Sequence, residues 1–286
     1  MLEAGNGAVG SRVAAFFDLD KTLMAGSSGI FFARAAYETG MISRSRLARD
    51  VYENLRFRLR GSTDDRADEV RKRVGEMIAG VRVRDLQRLS PRVLAGVLPR
   101  LYPQMLARAY EHQDEGRLVY ILTAASQEMA DLLAHVLAFD GGLGSRSEIV
   151  DGRYTGQPAG PFNYRQGKVL SMREVAEREH IDLAASYAYS DSESDLPMLR
   201  AVGHPVVVNP DQDLARIAAD EGWEVLRLDH LGARLKVLAA VGAAAALGGL
   251  GSVVREHVGA RADPRALQSR ASRPTRPGPI RRRARR

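Results

Sequence analysis

The stretch Ala15-Phe16-Phe17-Asp18-Leu19-Asp20-Lys21-Thr22-Leu23 sets an apolar run directly against two carboxylates. Residues 13–17 (VAAFF) are short, apolar and bounded by turn-like residues, which reads as a buried strand. Asp18 and Asp20 then emerge where the strand ends. Carboxylates beside an apolar run need water, a cation or a proton, so the end of this strand is where chemistry is expected.

Working outward, residues 117–122 (RLVYIL), 186–190 (SYAYS), 205–208 (PVVV) and 224–228 (EVLRL) read as further strands. Between them lie a helix near 127–138, a small hairpin over 148–156 turning at Asp151-Gly152, and a helix opened by Gly167-Lys168. Strands alternating with helices predict an α/β fold: a Rossmann-like parallel sheet with helices on both faces. The alternation breaks once. After the first strand come only helical signals, over about Ser28–Gly40, Ser45–Leu59 and Asp64–Ala79, with glycines as stops, and then from Ser90-Pro91 through Pro103 to about Glu115. Residues 26–108 are therefore expected to be an inserted all-helical cap on a discontinuous core of 11–25 and 109–232.

Bulk composition narrows the function. The 286 residues include no cysteine, which excludes disulfides, zinc–thiolate sites and a cysteine nucleophile. The N-terminus has no apolar core of a secretory signal, and a cytoplasmic setting is expected. Residues 255–286 hold eleven Arg against two acids, a local +9, so of the total +7 the first 254 residues carry −2. The high charge belongs to a tail, and no specific nucleic-acid partner is expected. Residues 237–254 carry no charge and reach the length of a membrane span, yet six Ala and four Gly leave them weakly apolar. A membrane contact through 237–286 competes with a helix packed on the body or a floppy tail, and the Arg- and Pro-rich 255–286 is expected to be disordered.

In an open parallel sheet, ligands bind beyond the carboxyl ends of the strands. Four polar clusters fall there: Asp18/Asp20, Thr123, Lys168 at a helix start, and Asp191/Asp195. Carboxylates that close cannot all ionise without a compensating cation, and hard oxygen ligands beside a phosphate suit Mg²⁺. Thr123, Lys168 and main-chain N–H groups are suited to phosphate oxygens.

Asp18-Leu19-Asp20-Lys21-Thr22, Thr123, Lys168 and Asp191-Ser192-Glu193-Ser194-Asp195, in that order, resemble the four motifs of the haloacid dehalogenase superfamily. The stretches DLDKTLMAGSS, ILTAAS, EIVDGRYTG, YAYSDSESDLPML and VGHPVVVNPD resemble its phosphoserine-phosphatase-like branch, subfamily IB, over roughly residues 11–228. The resemblance implies a Mg²⁺-dependent phosphatase acting on a small phosphomonoester. Asp18 is then the nucleophile that becomes an aspartyl-phosphate, and Asp20 the general acid and base. Thr123 and Lys168 hold phosphoryl oxygens; Asp18, the Asp20 carbonyl and Asp191 hold the metal, with Asp195 in support. The chain departs from the serine phosphatases in two places. Gly26-Ser27-Ser28-Gly29 has no acid where they carry a substrate-reading glutamate, and Ser190, Ser192 and Ser194 stand where their last motif has Gly, Gly and Asn. The metal carboxylates are kept; phosphoserine as the substrate is not implied. The competing reading is a phospho-receiver-like or catalytically reduced domain that docks to a membrane or partner. A receiver, however, has no insertion of this size and no need for Asp20.

Overall fold

The computed structural model describes residues 11–41, 71, 72 and 74–228. Its centre is a six-stranded parallel sheet in the order β3-β2-β1-β6-β7-β8. The strands are β1 Ala14–Phe17, β2 Leu118–Ser126, β3 Gly141–Ser145, β6 Tyr187–Ser190, β7 His204–Val208 and β8 Glu224–Leu226. A separate antiparallel hairpin, β4 Ser147–Val150 and β5 Arg153–Pro158, turns at Asp151 (φ 49°) and Gly152 (φ 70°), the left-handed pair a tight hairpin needs.

β1 lies between β2 and β6, pairing Phe17 with Ile121 on one side and Tyr189 on the other. All four of its residues are buried because both faces are covered. Ala15 and Phe17 face one core cluster, with Val119, Ile121, Tyr189, Met105, Ala109 and Leu133. Ala14 and Phe16 face the other, with Leu122, Met172, Val175, Met198 and Leu214. Helices supply both layers: α1 Ser28–Glu38, α2 Val83–Gln87, α3 Ser90–Val97, α4 Pro103–Asp114, α5 Gln127–Val136, α6 Gln166–Glu179, α7 Leu196–Leu199 and α8 Gln212–Asp220. Residues 74–78 are also helical.

Between β1 and β2 every described element is helical, as the sequence predicts. The expected helix over Ser45–Leu59 lies outside the described residues, as does the first part of the one expected over Asp64–Ala79. Residues 229–286, with both tail segments, also lie outside them; among the described residues no helix is long and apolar enough to cross a membrane.

The edge strand β3 has no counterpart in the sequence reading. Its residues, Gly-Gly-Leu-Gly-Ser, carry almost no β propensity. The reason is contact: a Cβ on Gly142 would stand 2.2 Å from the Ala130 carbonyl carbon and 2.6 Å from the Asp131 nitrogen, both on α5. Only a bare backbone lets α5 lie this close to the strand. The exposed edge is occupied by a side chain: the Gln127 amide donates to the Gly142 carbonyl and accepts from the Gly144 N–H, as a neighbouring strand would.

Candidate active site

The carboxyl ends of β1, β2 and β6 meet at one rim. Asp18 follows β1 and keeps its ladder going, its N–H donating to the Tyr189 carbonyl at 3.0 Å. The chain then coils back: Lys21 takes φ 62°, its N–H reaches the Gly26 carbonyl, and Leu23 N–H reaches Asp18 and Leu19. This tight turn puts Leu19, Leu23 and Met24 fully inside while leaving Asp20 and Lys21 at the surface of the rim.

Lys168 reaches the rim from the first turn of α6. A Cβ on Gly167 would stand 1.8 Å from the Phe162 carbonyl, so glycine there permits the close approach that seats Lys168. Its Nζ donates to Asp18 Oδ1 and to Asp195 Oδ2, each at 2.6 Å, and all three residues are buried. Asp195 heads α7 but makes no side-chain capping bond there; besides Lys168 it takes the Ser190 hydroxyl at 2.6 Å. Asp191 accepts from Lys21 Nζ at 3.4 Å and from the buried Thr22 hydroxyl at 3.5 Å. Asp20 is gripped at both oxygens, by the Ser27 hydroxyl and the Ser28 N–H, each at 2.8 Å. Thr123 is buried on β2, two residues past the partner of Phe17, and its Oγ1 accepts from Ala125 N–H at 3.2 Å. It makes no hydrogen bond to any of the described carboxylates.

The rim is short of positive charge. Burial pushes Asp18 up to about 7, with Lys168 opposing and Asp195 adding to the rise. Burial also raises Asp191, with Lys21 opposing. For Lys168, burial works against the ammonium, but Asp18 and Asp195 outweigh it and hold the group above the ordinary lysine range. Asp18, Asp191 and Asp195 are buried acids, and hard carboxylate oxygens whose charge is incompletely offset are the donor chemistry a hard divalent cation takes. Among the described residues no cluster of three or more His, Cys, Asp or Glu side chains is arranged to hold a metal.

Three participants were not among the sequence candidates. Ser27 and Ser28 hold Asp20, and Ser190 holds Asp195. Their signal was visible only as departures from the serine phosphatases, and hydroxyl or main-chain contacts with an acid several residues away leave no periodic trace.

The family profile for haloacid dehalogenase-like hydrolases matches residues 15–200, about two thirds of the chain. The chain belongs to the haloacid dehalogenase-like hydrolases. Among curated relatives of this hydrolase, a probable phosphatase of Mycobacterium tuberculosis (strain H37Rv) is 36% identical over 223 residues, covering 78% of this chain and 77% of that one. A phosphoserine phosphatase of the same strain is 34% identical over 245 residues, covering 84% and 79%. Among solved structures, a Bordetella pertussis Tohama I protein of unknown function superposes with a TM-score of 0.69 at 28% identity, covering 76% of this chain and 99% of that one. The hydrolase is a phosphatase of the phosphoserine-phosphatase-like branch.

Proposed function

We propose that this phosphatase hydrolyses a small phosphorylated metabolite through an aspartyl-phosphate on Asp18, with Mg²⁺ as its metal. The observation that carries the reading is the bridge of Lys168 between Asp18 and Asp195, both bonds 2.6 Å, at the mouth of the sheet. A buried ammonium against the nucleophile fixes one Asp18 oxygen, and in this reading the other attacks phosphorus. In this reading it also takes a phosphoryl oxygen as charge moves off Asp18, together with the Thr123 hydroxyl.

Asp18 attacks phosphorus and the bond to the leaving oxygen breaks. Asp20 gives its proton to that oxygen, for which its bond to Ser27 or Ser28 has to yield. The product leaves, Asp20 takes a proton from water, and the water oxygen attacks the phosphoryl group, restoring Asp18 and releasing phosphate. Asp195, with both described contacts on Lys168 and Ser190, positions the lysine. Asp18, Asp191 and the Asp20 carbonyl would hold the Mg²⁺, which supplies charge compensation for the anionic nucleophile and phosphate. Residues 26–108 act as a cap that selects the leaving group and keeps out bulk water. Without an acid at Gly26–Gly29, the substrate's leaving group needs no ammonium there.

The test is phosphate release by the full-length protein from a panel of phosphomonoesters, with Mg²⁺ or with EDTA, beside Asp18→Asn. Turnover that needs Mg²⁺ and is lost in the variant supports the reading. Undiminished turnover in Asp18→Asn would sink it.

A further inference from the structure

A second charged cluster lies apart from the rim and shares no residue with it. An open cavity of about 570 Å³ runs between the end of α1, the segment that carries α2 into α3, and the β4–β5 hairpin. Four arginines line it, Arg82, Arg88, Arg92 and Arg153; among its described lining residues Asp85 is the lone acid. The backbone sets two of these residues opposite each other. Arg82 and Arg153 are partners in an antiparallel bridge, flanked by Val83 N–H to Gly152 O and Tyr154 N–H to Val81 O. Like charges set directly opposite each other destabilise a strand pair. The nearby groups do not relieve them: Asp85 is taken by Arg88 at 3.4 Å, and Arg153 donates at 2.6 Å to the Gly80 carbonyl, which carries no net charge. The Arg82 and Arg92 side chains make no hydrogen bond or ion pair with any described residue. Guanidinium groups of this number around one concavity focus a positive field and offer paired donors in the geometry phosphate oxygens take.

We propose that this cavity is a binding site for a compact polyanion of the di- or triphosphate class, separate from the catalytic rim and independent of the hydrolytic reading. Its ligand bridges Arg82 and Arg92 on the helical segment to Arg153 on the hairpin. The hairpin leads, through residues 159–165, into α6 and Lys168, so an occupied site ties the helical segment to the chain that delivers the buried lysine.

The test titrates the full-length protein with sodium tripolyphosphate in EDTA, by calorimetry and by thermal melting, beside Arg82→Ala/Arg92→Ala and Arg82→Lys/Arg92→Lys. The Arg255–Arg286 stretch is the same in every protein, so only what the cavity variants lose is counted. Expected are saturable binding to the wild type and a melting midpoint raised beyond that of sodium chloride at matched ionic strength. Affinity should fall about tenfold or more in the alanine pair, with an intermediate value for the lysine pair. Orthophosphate should bind more weakly than tripolyphosphate. Adenosine triphosphate as a further probe separates sources: equal affinity assigns the site to polyphosphate itself, tighter binding to a nucleotide. Two results overturn the proposal: no saturable binding to the wild type, or unchanged affinity in an alanine pair whose circular dichroism shows an intact fold.

Discussion

Acidification should loosen the sheet beneath the catalytic rim through His112. This histidine on α4 is 3% exposed. Its Nδ1 lies 2.9 Å from Arg117 Nη1, and a guanidinium can only donate, so Nδ1 is an acceptor and Nε2 carries the proton. Nε2 then donates to Tyr189 Oη at 2.8 Å. Tyr189 stacks on Phe17 at 4.3 Å, and these two residues sit just before Asp191 and Asp18. Burial, reinforced by Arg117 and Arg108, lowers the His112 pKa from its ordinary 6.5 to about 4. The remaining groups around it, Tyr187 and the acids Glu115 and Glu224 bound to those arginines, do not offset this. A histidine held neutral in the fold contributes its full stability above pH 6.5, loses it as pH falls toward 4, and is level below that. At pH 5 the loss spans 1.5 units below the ordinary value, at about 1.4 kcal/mol each, or about 2 kcal/mol. Urea unfolding at pH 7 and pH 5 should therefore show the wild type losing about 2 kcal/mol more than His112→Gln, which cannot titrate. Equal losses in the two proteins would refute the argument.

Replacing Lys168 with Met leaves Asp18 and Asp195 buried without their shared cation; unfolding free energy should drop by about 3–5 kcal/mol and turnover by about 10²-fold or more, read by urea titration and phosphate release. Ser27→Ala removes one of the two bonds that hold Asp20, so kcat should fall about fivefold with KM nearly unchanged, and a pure KM effect would show that Ser27 reads substrate instead. Gly142→Ala drives a methyl into the α5 backbone; it should cost about 2 kcal/mol or more and lower the melting midpoint by about 4–8 °C, whereas an unchanged midpoint would mean α5 does not lie on β3.

What could be read from the sequence was whatever carries a period or a fixed chemical type. β1, β6 and β7 are short apolar runs with both faces covered, and each was found within a residue or two of its ends. The hairpin turn was legible because Asp151-Gly152 suits two successive positive φ angles. The rim residues were legible because acids at strand ends are out of place in a core. β3 was not, since its glycines answer to a helix lying on them and not to any local preference. The Asp20 grip was not, because Ser27 and Ser28 look like an ordinary helix start; neither serine's side chain caps α1, and Ser27 spends its hydroxyl on Asp20.

The serines of the last motif are better understood as a replacement for backbone freedom than as a loss of function. Where the serine phosphatases have glycine, Ser190 is fully buried and gives its proton to Asp195, and its Oγ also accepts from Ser192 N–H at 3.2 Å. Ser192 and Ser194 close the same turn, Ser194 N–H on Ser192 Oγ at 3.3 Å and the two hydroxyls 2.9 Å apart. These bonds close a turn that glycines would make supple, and the Ser190 hydroxyl orients Asp195. Asp18, Asp191 and Asp195 are buried together while Lys168 is the buried cation among them, with Lys21 largely in solvent. A phosphate dianion arriving alone meets repulsion from the ionised members of this set of acids. The Mg²⁺ of the proposed function would supply the compensation that Lys168 alone does not, and the serine turn contributes by holding Asp195 against that lysine.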